Sequence, residues 1–378
     1  MTNADQEDGH MDKRRIAIVG AGKIGETIAA LLCDSGSYEV TLIDQDEDRL
    51  ARLARHEGVR TRALDVADEV ALGDALAGHL AVISAAPYFL TVPIARAARR
   101  AGVHYLDLTE DVASTNEVKR IAADAERLFI PQCGLAPGFI SIVANDIAAR
   151  FDQLDTIRMR VGALPQYPSN SLNYNLTWST DGVINEYCEP CVAVAGGRLT
   201  SVPPLEQLEH FSLEGVRYES FNTSGGLGTL GETLAGRVRN ISYQTIRYPG
   251  HRDIMKTLLH DLRLAERRDL LKDVLEHAVP ATLQDVVLIF VTVSGQKDGR
   301  LVQETYANKL YGVELGGRAY SAIQLTTAAS VCAVADLVAA ERIAGRGFVR
   351  QEEIALDDFL ANRFGRYYRV EPALRAAA

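Results

Sequence analysis

Cysteine is scarce and scattered in this chain: Cys33, Cys133, Cys188, Cys191 and Cys332 are the only five among 378 residues. An odd, dispersed count in a chain of this size excludes a disulfide framework and makes a reducing cytoplasm the expected setting. Cys188 and Cys191 have C-x-x-C spacing, but no second cysteine pair or nearby histidine completes a zinc set, so no metal site is expected. A long apolar run is also missing. Nothing approaches the roughly 18 consecutive apolar residues of a membrane span, so no membrane partner is expected. The first ten residues are polar and acidic, without the apolar core of a secretory leader. Met11 follows them, so residues 1–10 read as an extension or as the product of an alternative start. Basic excess is absent too: 40 Lys and Arg stand against 50 Asp and Glu, for a net charge of -10. That balance disfavours a general affinity for nucleic acid or anionic membranes, and says little about a small substrate. No internal repeat, low-complexity tract, G-x-S-x-G, H-E-x-x-H or Walker motif occurs.

What is present is the composition of a globular protein, 47% hydrophobic and 24% charged, with enough length for two cores. Residues 15–20 form a short apolar run ending in glycine, which reads as a buried parallel strand. Further strands are expected at 39–44, 59–64, 80–84 and 104–108. Helical patterns lie between them, over 24–34, 49–56, 92–101 and 116–128. This alternation implies right-handed βαβ units and a doubly wound parallel sheet. The rhythm changes after residues 131–138. A helix over 140–150 leads into alternating segments rich in Tyr, Ser, Asn, Gly and Pro, the pattern of a mainly antiparallel sheet. An apolar strand at 285–293 and a hairpin through 295–299 follow, then a long apolar helix over 319–343 that is expected to pack back on the first domain. The expected fold class is therefore α/β. Residues 1–138 form a Rossmann domain, residues 139–318 an α+β substrate and dimerisation domain, and residues 319–378 a segment returning to the first.

Gly20, Gly22 and Gly25 have G-x-G-x-x-G spacing between the first strand and the first helix. In that context the first glycine permits the turn, the second admits a pyrophosphate and the third lets helix and strand close. The amides of Lys23 and Ile24 open the helix where an anion is stabilised. Asp44 ends the next strand and is suited to adenosine ribose hydroxyls. Gln45, Asp46 and Glu47 follow it with no arginine, which favours NAD over NADP. Asp65 is a candidate for the adenine side, and Ser84 and Ala85 for the nicotinamide side. Ordinary loop roles remain the alternative for all three.

Several segments together resemble the saccharopine dehydrogenase family, most of all its L-lysine ε-dehydrogenase branch. They are residues 84–88 (SAAPY), 102–108 (GVHYLDL), 133–138 (CGLAPG), 162–166 (GALPQ), 172–174 (LNY), 223–227 (TSGGL) and 245–251 (TIRYPGH). Phe89-Leu90 and Glu232 depart from the family pattern. The resemblance implies a Rossmann domain completed by a C-terminal helix, a substrate domain that mediates homodimerisation, and NAD(P)-linked oxidation at a carbon bearing an amine. For the lysine branch it implies conversion of L-lysine to 2-aminoadipate semialdehyde and ammonia. A saccharopine- or carboxynorspermidine-type reductase and a non-catalytic NAD-binding sensor are the alternatives.

Amine oxidation by hydride transfer needs a neutral amine, a carbon facing the nicotinamide and a tolerated cationic imine. Asp107, at the end of the fifth strand, is the expected partner of the amine, with Glu110 second. Arg247 is expected to hold the substrate α-carboxylate, with Arg239 as rival. His251 is a candidate for proton transfer and Tyr88 for covering the nicotinamide. Asn173, Tyr174, Thr223 and Gly225, with Gly226, are expected to line the substrate pocket.

Overall fold

A computed structural model describes residues 13–369, so the acidic extension at 1–10 lies outside the described residues. The first half alternates strands and helices: β1 (Arg14–Val19), α1 (Lys23–Asp34), β2 (Tyr38–Asp44), α2 (Glu47–Leu53), β3 (Val59–Ala63), α3 (Glu69–Leu76), β4 (Ala81–Ser84), α4 (Thr91–Ala101), β5 (His104–Asp107), α5 (Val112–Ala122), β6 (Leu128–Ile130) and α6 (Phe139–Ala148). The second unit contains β7 (Gln153–Pro165), α7 (Thr180–Cys188), β8 (Cys191–Ala195), β9 (Arg198–Val202), β10 (Glu209–Leu213), β11 (Val216–Asn222), α8 (Leu230–Leu234), β12 (Val238–Arg247), α9 (His251–Lys256), α10 (Arg268–Ala278), β13 (Asp285–Lys297) and β14 (Arg300–Tyr311). A short hairpin, β15 (Val313–Leu315) and β16 (Arg318–Tyr320), leads to α11 (Ala322–Ala339), β17 (Gly347–Phe348) and α12 (Leu356–Ala361).

The first sheet runs β17-β6-β5-β4-β1-β2-β3, and all of its pairs are parallel. Residues Ile16–Val19 are essentially inaccessible, because helices cover both faces of a sheet of this kind. The expected doubly wound architecture is present. Asp111 caps α5 by accepting a hydrogen bond from Ser114 N (2.7 Å), so that helix starts and ends earlier than the expected 116–128 and leaves room for β6. The second sheet is centred on the order β10-β11-β12-β7-β13-β14, with β8 and β9 branching from β12. Most of its pairs are antiparallel, but β7 and β12 run parallel at its centre. The β13–β14 hairpin turns at Asp298 (φ 52°) and Gly299 (φ 71°), so its strands extend further than the expected 295–299 loop allowed.

The chain then returns. Helix α11 packs on α1, and β17 joins the first sheet beside β6. Ser321 and Gln324 form a capping box at the start of α11, and Asp285, from the first residue of β13, accepts hydrogen bonds from Ala322 N and Ile323 N. By length and composition α11 could cross a membrane, contrary to the sequence expectation, but most of it is buried within the protein core. One apolar cluster joins α1, α6 and α11 to the inner face of the second sheet through Met159, Val161, Ile289 and Val291. The residues expected to be functional project from the ends of strands that meet at this junction.

Candidate active site

The dinucleotide side lies along the carboxyl edge of the first sheet. A side chain at Gly20 (φ +104°) would stand 2.7 Å from the Ala85 carbonyl oxygen, and one at Gly25 would collide with the Gly20 carbonyl. A side chain at Gly22 would meet nothing within 4 Å. Gly20 and Gly25 are fixed by packing; Gly22 faces the open space that a pyrophosphate would fill. Gly22 is also the N-cap of α1 and makes no side-chain cap, so the first-turn amides from Lys23 and Ile24 onward remain available to an anion. Asp44 accepts from Ala21 N (2.7 Å) and Asp46 N (3.0 Å), which anchors its carboxylate at the mouth of the turn. Val19, Ser84 and Asp107 stand in register on β1, β4 and β5. Asp65 is exposed and closes a local turn by accepting from Ala67 N. These residues fit a dinucleotide: Gly22, Lys23, Ile24 and Asp44 would hold it, and Ser84 and Ala85 stand on the same carboxyl edge.

Asp107 does not meet the expectation placed on it. It is 1% exposed, and its carboxylate accepts from the Tyr105 hydroxyl (2.7 Å), Thr109 N (3.0 Å) and Gln132 N (2.8 Å). Burial raises its pKa to about 6, against those hydrogen bonds. Asp107 is a bracket that turns the chain out of β5. The Thr109 hydroxyl accepts from Asp111 N (3.2 Å), and Asp111 caps α5. The intervening Glu110 is thus fixed at both ends and directed at the second domain. There it lies in a notch: a side chain at Gly225 (φ +86°) would stand 2.7 Å from the Glu110 carbonyl oxygen, and one at Gly182 would stand 3.0 Å from Glu110 Oε1. Gly225 therefore packs closely on the Glu110 backbone. Gly226 lies under the Tyr243 ring, which a side chain there would strike.

Arg247 ends β12 and is 2% exposed. Its Nε donates to the Tyr187 hydroxyl (2.9 Å), and Nη1 donates to the Thr245 hydroxyl (2.6 Å) and the Ile246 carbonyl (2.9 Å). Among the described residues Nη2 has no hydrogen-bond partner. The Tyr174 ring lies 5.1 Å from the guanidinium carbon. Arg239 is excluded as its rival. It sits eight residues back along the same strand, about 26 Å away at 3.3 Å per residue, and pairs with Asp155 at the surface.

His251 is also reassigned. Its Nδ1 lies 2.9 Å from the Leu172 carbonyl, which can only accept, so Nδ1 carries the proton. Nε2 then accepts from Tyr187 (3.0 Å), whose oxygen receives the Arg247 Nε–H. Burial, and next the Arg247 charge, lower its pKa to about 3. His251 is a neutral strut that orients Arg247 through Tyr187.

Thr223 and Tyr174 are buried, and among the described residues neither hydroxyl has a partner. Asn173 (φ 49°) contacts the Pro249 carbonyl at the rim. Tyr88 is 41% exposed beside Phe89 rather than enclosed over a ligand. Glu232 pairs with Lys119 (2.7 Å), so its charge is spent away from Arg247.

Sequence reasoning missed Glu186 and Tyr187 on α7, and Tyr243 on β12. Glu186 is 7% exposed and raises the Glu110 pKa, after burial, which raises it most. Burial also raises the Glu186 pKa, and the Arg247 charge opposes the rise. The signal lay in residues 185–190, NEYCEP, where the cysteine spacing drew attention from the glutamate. Burial raises the thiols of both Cys188 and Cys191, the latter to about 12, which disfavours the thiolate a metal requires.

Residues 16–128 match the saccharopine dehydrogenase NADP binding domain, and residues 134–365 match the saccharopine dehydrogenase C-terminal domain. The chain is 24% identical over 318 residues to the mitochondrial alpha-aminoadipic semialdehyde synthase of Bos taurus, covering 79% of this chain and 34% of that protein. It is 24% identical over 260 residues to the NADP(+), L-glutamate-forming saccharopine dehydrogenase of Pyricularia oryzae, covering 66% of this chain and 58% of that one. The chain therefore spans about a third of the bovine relative and under two thirds of the fungal one. Its fold is similar to apo saccharopine dehydrogenase (L-Glu forming) from Saccharomyces cerevisiae, with a TM-score of 0.75 at 17% identity over 92% of this chain and 97% of that one. With both domains matched in order along one continuous fold, the chain belongs to the saccharopine dehydrogenase family.

Proposed function

We propose that this protein is a dinucleotide-dependent oxidoreductase acting on the C–N bond of an amino acid, and that its reaction is oxidative deamination of L-lysine at the ε-carbon. The observation that carries the reading is the free Nη2 of Arg247 on a buried guanidinium otherwise fully engaged. A buried arginine with one nitrogen and its two N–H donors left open is suited to a carboxylate, and Tyr187 and Thr245 fix its orientation. Glu110 and Glu186 add two acids near it whose pKa values are raised, and a cationic group bound beside them would favour their ionised form. Ser84 lies in register with Asp107, three residues before Glu110, which supports a dinucleotide edge on the side of the first domain that faces α7. A bound nicotinamide supplies the hydride acceptor there. Asp44 and the acidic residues that follow it support NAD, whereas the fungal relative is named for NADP(+). The free cysteines support a reducing, cytoplasmic setting, and a homodimer belongs to the same reading.

The relatives' names favour a second reading, in which the amine is secondary and a second amino acid is released. The deciding assay supplies purified protein with L-lysine or saccharopine, and with NAD or NADP, while following reduced dinucleotide and ammonia together. Reduced dinucleotide with equimolar ammonia from lysine supports the deamination. Turnover of saccharopine alone, without ammonia, replaces it with the secondary-amine reaction. Turnover of neither overturns both.

A further inference from the structure

We propose that Glu110 and Glu186 together form a seat for the substrate's α-ammonium beside Arg247, so that the site selects amino acids carrying a free α-amino group besides the reacting amine. This rests on the reading above in one respect, that Arg247 takes the α-carboxylate.

The two carboxylates come from different halves of the fold. Glu110 leaves β5 of the first domain, held between the Asp107 bracket and the Asp111 cap. Its Oε1 lies over Gly182, one helical turn before Glu186 on α7, which places both acids on the same helix face. Gly225 leaves the space that Glu110 fills, and a side chain there would displace it; one at Gly182 would strike the Trp178 ring first, with Glu110 Oε1 beside it. Among the described residues neither carboxylate accepts a hydrogen bond, and neither is salt-bridged. Burial and mutual repulsion, in that order, push the Glu110 pKa up. The Arg247 charge stabilises the Glu186 carboxylate, but among the described residues no cation pairs with the half-buried Glu110, and a ligand can supply that charge.

Two independent observations point to that ligand. The hydroxyls of Thr223 (2% exposed) and Tyr174 (3% exposed) are buried without partners among the described residues. Thr223 directly follows β11 and precedes Ser224, whose amide donates to the Glu186 carbonyl (3.0 Å). Tyr174 lies against the Arg247 guanidinium. Tyr174 therefore packs on the arginine, and Thr223 stands at the strand end that meets the backbone of α7 at Glu186. An α-amino acid carries its positive and negative groups on neighbouring atoms. Arg247 with the carboxylate pair presents the complementary charges, and the Thr223 oxygen can accept from an ammonium.

The test compares L-lysine with 6-aminohexanoate, which keeps the carboxylate and the terminal amine but lacks the α-amino group. Binding is measured by calorimetry on the full chain, as wild type, Glu110→Gln and Glu186→Gln. The wild type should prefer lysine by about tenfold or more, equivalent to about 1.4 kcal/mol. Each variant should bring that preference to within about threefold by weakening lysine alone, while its melting temperature stays level or rises as repulsion is relieved. A wild type without preference, or a preference unchanged in both variants, overturns the seat. Oxidation is a separate readout. Absent turnover with an intact, variant-sensitive preference overturns the deamination and keeps the seat; turnover with an insensitive preference does the reverse.

Discussion

At the scale of single residues, each polar group in the site is defined by what its neighbours leave unsatisfied. Arg247 keeps one nitrogen open because Tyr187, Thr245 and the Ile246 carbonyl occupy the rest. Arg247→Ala should raise KM for the amino acid by about 10- to 100-fold, the loss of a charged hydrogen bond of about 1.5–3 kcal/mol; steady-state kinetics checks this. His251 makes a pH-dependent contribution of known sign. Its pKa is lowered to about 3 in the folded protein from an ordinary 6.5, so between those values the unfolded chain binds more protons. The stability from a neutral His251 is present above about pH 6.5 and is lost as pH falls toward 3. Asp107, raised to about 6 from 3.8, acts in the opposite direction over part of that window. Melting temperature against pH should therefore fall less steeply on acidification in His251→Gln than in wild type. Asp44→Ser should weaken NAD and narrow its advantage over NADP, read as a ratio of dissociation constants.

Among the elements, the turn between β1 and α1 separates packing from binding. Gly25→Ala places a methyl group against the Gly20 carbonyl and should lower both melting temperature and dinucleotide affinity. Gly22→Ala meets nothing in the protein and should lower affinity while leaving the melting temperature nearly level. Calorimetry alongside thermal unfolding distinguishes the two. This turn was legible in the sequence because its glycine spacing and flanking strands are local. The first five strands of the first sheet were legible too, since burial on both faces writes an apolar run such as residues 16–19; the short β6 and β17 were not. The parallel contact of β7 with β12 was not, because no local period records which distant strand becomes a neighbour. Glu110 was ranked below Asp107 for the same reason. The residues that decide between them are Gln132, which engages Asp107, and Gly225, which makes room for Glu110. Glu186 and Tyr187 were hidden in a helix whose cysteines formed the more familiar pattern.

For the whole molecule, the closing segment decides whether the first domain is complete. Asp336 on α11 accepts from the Tyr38 hydroxyl (2.5 Å), Asn362 (2.7 Å) and Arg363, joining the start of β2 to the end of the chain. Asp336→Ala leaves those donors without their acceptor and should destabilise the protein by about 2–4 kcal/mol, measured by denaturant unfolding. Glu352, beyond β17, accepts from the Thr229 and Thr233 hydroxyls beside α8, so the same segment also grips the second domain. The two domains should therefore unfold in one transition.

The return of the chain has a consequence for the order in which the protein is made. A ribosome releases β1 to β6 first, yet the helix that covers α1 and the strand that finishes the sheet edge emerge last. The inserted domain between them is synthesised while the apolar flank of α1, with Ile28, Leu31 and Leu32, is still uncovered. Nascent chains halted near residue 320 should thus hold α1 exposed and available to chaperones, and the dinucleotide fold closes only on release of the final turns of synthesis.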